Sequence, residues 1–197
     1  MLSDWDSSTE AFMPWLLRKC DNVEKLRVQD CSGDGQSLAQ GMLAHMPNLC
    51  KISLGNHKTH SMPHIAGNIL DNIPGNKIAT LLSGSRNGWK AVEVLPTASF
   101  GRAAMNALSD HFATLEVLSI HAYDGDSSDG PIRALRLCAN LHACMGIASN
   151  YDPDNYLTVD AMVFIDQDPT FSLKPWKCET SLKVLKVAIT GPFQGHI

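Results

Sequence analysis

One apolar pattern recurs along this chain at a nearly constant step, and it restricts the fold more than any other feature. Leu115, Leu118 and Ile120 follow the spacing L-x-x-L-x-L, which returns at Val23/Leu26/Val28, Leu49/Ile52/Leu54 and Leu182/Leu185/Val187. Two looser copies, Trp89/Val92/Val94 and Leu141/Cys144/Gly146, fill the gaps. The first positions of the six copies are separated by 26, 40, 26, 26 and 41 residues. A short strand that returns at a fixed step cannot bury its own apolar face, so neighbouring copies must stack on one another.

The residues before each copy repeat as well. Leu16/Leu17/Cys20, Met42/Leu43/Met46 and Ala134/Leu135/Cys138 each stand seven, six and three positions before the first strand residue, and Leu108 and Phe112 keep two of those places while Ser109 breaks the third. Spacings of three and four place such residues on one helical face. Each helix hands over through a turn, Cys20-Asp21-Asn22-Val23, Met46-Pro47-Asn48-Leu49 or Cys138-Ala139-Asn140-Leu141. Asparagine suits that turn because its amide bonds local backbone and tolerates left-handed dihedrals. After the first strand, Cys31 occupies a place where this kind of repeat uses Asn or Cys. The pattern therefore predicts an α/β leucine-rich repeat solenoid of five to six irregular units across residues 1–197, with a parallel concave sheet and outer helices.

The two long steps exceed 26 by 14 and 15 residues, which predicts two insertions. One lies around Asn72-Ile73-Pro74-Gly75-Asn76, before Lys77-Ile78-Ala79-Thr80-Leu81-Leu82, and the other runs from Tyr151 to Pro169. Inserted loops of this size often carry function.

Composition narrows the class. With 44% hydrophobic and 18% charged residues, the chain is neither disordered nor membranous. No apolar run reaches the roughly 18 residues of a transmembrane helix, and Met1-Leu2-Ser3-Asp4-Trp5-Asp6 is acidic where a secretory signal is basic. An intracellular protein, cytoplasmic or nuclear, is expected. A net charge of −4 gives no general reason for nucleic-acid binding. The six cysteines, at 20, 31, 50, 138, 144 and 178, read as reduced small hydrophobes, because Cys20, Cys138 and Cys144 fall at core positions of the repeat.

Chemistry-bearing clusters have plainer explanations. Cys138, His142 and Cys144, with His121 one unit earlier, lack the paired spacing of a zinc site. His57, His60 and His64 sit in a polar stretch that reads as a solvated loop. Ser119 and His121 share a strand face without a third orienting group, and no G-x-S-x-G elbow occurs. The segment Asp124-Gly125-Asp126-Ser127-Ser128-Asp129-Gly130 has Leu135 where a calcium loop needs glutamate, so it reads as a turn before a helix beginning at Pro131. No cofactor and no metal are expected.

The helix-turn-strand units ending in Cys-x-Asn-Leu/Val, and Pro175-Trp176-Lys177-Cys178 leading into Leu182-Lys183-Val184-Leu185-Lys186-Val187, resemble fungal leucine-rich repeat proteins of the ribonuclease-inhibitor-like group, many of them F-box proteins. The resemblance spans roughly residues 12 to 190. It implies a protein-interaction scaffold without enzymatic activity, the substrate-recognition part of an SCF-type ubiquitin ligase. A Skp-type adaptor would join through an F-box in the full-length protein. Met1 to Glu10 does not read as an F-box, and Gly191 to Ile197 does not read as a polar cap, so the sequence reads as either a fragment lacking both or an incomplete gene model. The alternative from another class is a hydrolase or metal-dependent enzyme with its site on the inserted loops.

Residues between the apolar strand positions are expected to line the partner-binding face: Lys25 and Arg27, Lys51, Glu93, Val117, Ser119 and His121, Ala143 and Met145, and Lys186. This face runs from basic at its amino-terminal end to apolar at Val117, Ala143 and Met145. Leu118 is expected in the core, and Ser119, facing outward, is expected to tolerate aspartate.

Overall fold

The computed structural model describes residues 20–29, 35–56, 73–95, 97–120, 134–146, 157–160 and 176–190. Its strands are β1 (Lys25–Val28), β2 (Lys51–Leu54), β3 (Ala91–Val94), β4 (Val117–Ile120), β5 (Ala143–Gly146), β6 (Leu157–Asp160) and β7 (Val184–Thr190). The helices are α1 (Gln36–His45), α2 (Gly75–Leu82) and α3 (Arg102–Ser109). The strands form a single sheet in the order β1-β2-β3-β4-β5-β7-β6, with every pairing parallel. The protein is thus an α/β fold with one parallel sheet, as the apolar pattern predicts.

The register reproduces the apolar pattern residue for residue. Leu26, Ile52, Val92, Leu118, Cys144 and Leu185 form one row across the sheet, and Val28, Leu54, Val94 and Ile120 form the next. The looser copies therefore pair in the same phase as the clean ones. Trp89, Val92 and Val94 are fully buried, as are Leu141 and Cys144. Because side chains alternate across a strand, these rows bury one face of the sheet and leave the intervening residues on the other.

The helices cover the buried face. Leu38, Ala39 and Met42 of α1, Ile78, Leu81 and Leu82 of α2, and Ala104, Met105 and Leu108 of α3 join the strand rows in one core. Buried positions include the residue eleven places before the first strand residue in the three units where it is described, at Leu38, Ile78 and Ala104, and the residue seven before it at Met42, Leu82, Leu108 and Ala134. The residue three before it is buried at Met46, Phe112 and Cys138 but exposed at Arg86. The position six before is less constant, since Leu43 and Ser109 are only partly buried while Leu135 is buried.

The insertions are placed differently from expectation. The second, read as a loop from 151 to 169, contains β6, which pairs parallel to the distal part of β7 at the sheet edge. In the first, Ile73 bridges Ala98 and α2 begins at Gly75. Because Ile78 holds the same place before its strand as Leu38 and Ala104, α2 is the regular helix of its unit and the extra residues precede it in the sequence.

The ends of the helices are closed by side chains from later in the chain. The Leu82 carbonyl, at the end of α2, accepts hydrogen bonds from Trp89 Nε1 at 2.6 Å and from His111 Nε2 at 3.0 Å. Both rings lie edge to face with centroids 6.3 Å apart. A carbonyl left orphaned by the helix end thereby uses both its lone pairs. Likewise Arg86 donates to the Leu43 carbonyl of α1 at 2.9 Å. Gly88, at φ 82°, holds the backbone left-handed beside Trp89, and a Cβ there would collide with the Thr114 side chain.

Burial drives the pKa of His111 below its ordinary 6.5, against the partial opposition of the Leu82 carbonyl and Asp110. Folded His111 therefore takes up a proton less readily than unfolded His111. Its contribution to stability is complete above about pH 6.5 and is lost as pH falls through the lower folded value. We expect urea midpoints to decline as pH falls below the ordinary histidine value of 6.5, and His111→Gln to flatten that decline. An unchanged slope in the variant would remove His111 as its cause.

Leu118→Asp should destabilise the fold by at least about 3 kcal/mol, because it places an unpaired charge in the core. Ser119 is only 7% exposed and its Cα partner on β3 is Glu93, so the outward-facing position is not the tolerant one expected. Ser119→Asp should cost about 1–3 kcal/mol through desolvation and repulsion, whereas Lys51→Gln should stay within about 0.5 kcal/mol. Equilibrium urea unfolding of the three variants checks this ordering.

Candidate functional site

The face of the sheet opposite the described helices, which no helix among the described residues covers and which is called the helix-free face below, carries two rows. One runs Lys25, Lys51, Ala91, Val117, Ala143, Val184, and the other Arg27, Ser53, Glu93, Ser119, Met145, Lys186. The structure therefore brings nearly all the residues expected to contact a partner onto one surface, in register. His121 lies outside the described residues, and Lys186 is placed by its strand position opposite Met145.

Exposure divides this surface. Lys25, Arg27 and Lys51 are exposed, and Glu93, Val117, Ala143 and Met145 are half-buried. Ser53 and Ser119 are 2% and 7% exposed, so they support neighbours rather than present themselves to a partner. Ser53 Oγ donates to Glu93 Oε2 at 2.7 Å, which orients the carboxylate toward β2. Sequence reading did not single out Ser53 for this role. The signal was present in the pairing of a small hydroxyl residue with Glu93 one unit later, but only the register makes them neighbours.

Lys25 and Lys51 are direct cross-strand partners, and Arg27 stands beside Ser53 in the adjacent row. Like charges placed opposite one another in a sheet repel. Among the described residues the ion pair formed is Lys90 Nζ with Glu116 Oε1, at 3.8 Å between exposed side chains, so none of these three cations is neutralised by a described acid.

The turns before the strands are built for stacking. Asn48 Nδ2 donates to the Asp21 carbonyl at 3.0 Å, Asn87 Nδ2 to Pro47 at 2.8 Å, and Asn140 Nδ2 to Ala113 at 2.8 Å. Thr114 and Ser181 do the same work with hydroxyls, reaching the carbonyls of Trp89 and Ala139. Asn48 and Asn140 were expected to bond local backbone in their own turns, and Asn87 was not singled out. All three instead reach the preceding turn, because parallel stacking brings that turn's carbonyls within range of a side chain that would otherwise face water.

Cysteine chemistry resolves into packing. Cys138, Cys144 and Cys178 are buried together in the core, and Cys178 Sγ donates to the Leu135 carbonyl at 3.1 Å. Burial, reinforced by the neighbouring thiols, pushes Cys138 and Cys144 up to about 12, and burial raises Cys178 as well. His142 is exposed while Cys138 and Cys144 are enclosed, so the three do not converge. Among the described residues no group of three or more His, Cys, Asp or Glu side chains is arranged to hold a metal ion. Cys31, the His57/His60/His64 group and the Asp124–Gly130 segment lie outside the described residues. Among the described residues, no helix is long and apolar enough to cross a membrane.

Cys50, Cys138, Cys144 and Cys178 are free thiols. A thiol-specific alkylating reagent should modify Cys20 and Cys50 quickly in the native protein and Cys138, Cys144 and Cys178 only on unfolding, since the thiolate is the reactive form. Mass mapping of the labelled peptides distinguishes the two groups, and fast native labelling of Cys144 would contradict its place in the core.

No known protein family, curated protein or solved structure matches this chain.

Proposed function

We propose that the chain is a protein-recognition scaffold of the leucine-rich repeat type, in which five to six irregular units stack into a curved solenoid and the helix-free face of the sheet receives the partner. The observation that carries this reading is the continuous helix-free surface from β1 to β5, on which one row of side chains per strand position repeats in register. A surface of this kind offers many side chains on a rigid frame, which suits recognition of an extended macromolecule. Nothing in the described chemistry draws the reading toward catalysis: the buried thiols are inert, and Ser119 is enclosed.

The resemblance to fungal F-box proteins gives this scaffold a specific task, the capture of a protein for ubiquitination, with a Skp-type adaptor held by an F-box in the full-length product. The reading supplies a test at two levels. The full-length gene product should co-purify with the Skp adaptor; if it does not, the ligase assignment falls and the scaffold reading stands by itself. For a partner bound to the scaffold, Met145→Asp should speed dissociation by about tenfold or more, because it places a charge where desolvation is most complete, whereas Arg102→Gln on the exposed start of α3 should leave the rate unchanged. Equal effects of the two, measured by surface plasmon resonance, would move the binding site off the sheet.

A further inference from the structure

We infer that the helix-free face takes an extended peptide segment of fixed charge order, acidic where it crosses β1 and β2, basic where it meets Glu93 on β3, and apolar over β4 and β5. This rests on the reading of that face as the binding surface and adds the chemistry of what binds there.

Three observations carry it. First, Lys25, Arg27 and Lys51 form an exposed cationic group across β1 and β2, and none of them has an acidic partner among the described residues. Lys25 and Lys51 occupy directly opposed positions, a repulsive arrangement that an arriving carboxylate relieves. Second, Glu93 stands alone as the acid of the Arg27 row and is held by Ser53 through one oxygen, Oε2. Its other oxygen is available to a cation from a partner, and the orienting bond lowers the entropy lost when that cation docks. Third, the rows become apolar beyond Glu93, at Val117, Ala143 and Met145.

Geometry sets the ligand's length and direction. The backbone groups of β2 to β5 are already used by their parallel neighbours, so a partner lying on this face is recognised through side chains and has no reason to follow the strand direction. Strands stand about 4.8 Å apart, so the path from β1 to β5 covers about 19 Å, the length of about six extended residues. A segment with two leading acids, a basic residue in fourth place and two apolar residues matches the face from end to end. Nucleic acid fits poorly, since its uniform charge would meet Glu93 in the middle of the path and the chain carries a net charge of −4.

Two fluorescein-labelled hexapeptides test the order, Glu-Glu-Ser-Arg-Leu-Val and its charge-reversed counterpart Arg-Arg-Ser-Glu-Leu-Val, with binding read by fluorescence anisotropy. The first should bind at least about tenfold more tightly than the second, with an advantage that shrinks at high salt. Lys51→Glu should remove most of that advantage. Glu93→Arg should favour a third peptide, Glu-Glu-Ser-Glu-Leu-Val, over the first, and Glu93→Gln, which retains an oxygen for Ser53, should abolish the discrimination between these two if the larger change disturbs folding. Equal affinity for the two charge orders, no switch at Glu93, or tighter binding of a single-stranded hexanucleotide would overturn the inference. If the peptides bind equally and Met145→Asp weakens both, the face is the binding surface and only the charge order is wrong. If none binds, or if Met145→Asp has no effect on those that do, the binding-face reading fails with it.

Discussion

The parallel strands are locked together at their first residues. The carbonyls of Glu24, Cys50, Lys90, Glu116 and His142 each accept two successive backbone N–H groups of the next strand's approach, from Cys50 and Lys51, Lys90 and Ala91, Glu116 and Val117, His142 and Ala143, and Lys183 and Val184. A strand of four residues has few ladder bonds of its own, so slipping it by one position would exchange its buried and exposed sides. The shared carbonyl prevents that slip. It also explains how the chain accommodates steps of 40 and 41 residues beside steps of 26 without losing phase, since the additional residues leave from the far end of a strand and must return to the same carbonyl.

Side chains extend the same device outward from the sheet. Asn48, Asn87, Thr114, Asn140 and Ser181 each bond a carbonyl in the preceding turn, and Arg86, Trp89, His111 and Cys178 close carbonyls at the ends of helical turns. A buried backbone oxygen without a partner is costly, which applies to the buried carbonyls served by Trp89 and Cys178 and in part to those served by His111 and Thr114. The asparagine contacts are exposed and tie neighbouring turns together at the surface. The apolar rows then contribute the bulk of the stabilisation by removing their surface from water. The packing fixes the opposite face in position, and among the described residues no helix covers it.

The stack also has a direction. At its amino-terminal side the Leu26 and Val28 rows are buried, whereas Val184 and Leu185 of β7 are 40% and 38% exposed. Leu185 shares a row with Cys144 and Leu118, so its position in the pattern is that of a core residue although its surroundings differ. The described helices lie before β2, β3 and β4, with a single helical turn at 134–137 before β5. The same apolar position is therefore buried or exposed according to what covers it, a distinction that the spacing within the chain does not contain.

The sequence by itself determined the strand phase, the parallel α/β class and the set of residues on the helix-free face, because a two-residue alternation inside a repeating step leaves one arrangement that buries Leu26, Ile52, Val92, Leu118 and Cys144 together. Even the weakest copy, Leu141/Cys144/Gly146, was legible in this way. Tertiary structure alone decided which of those facing residues are available. It enclosed Ser53 and Ser119, turned Ser53 toward Glu93, sent Asn48 and Asn140 to the preceding turn instead of their own, and added β6 beyond β7 from a stretch that reads as a loop. Each of these depends on a contact between residues about 26 or more positions apart, where the outcome is set by register and neighbouring volume and not by the local order of residues.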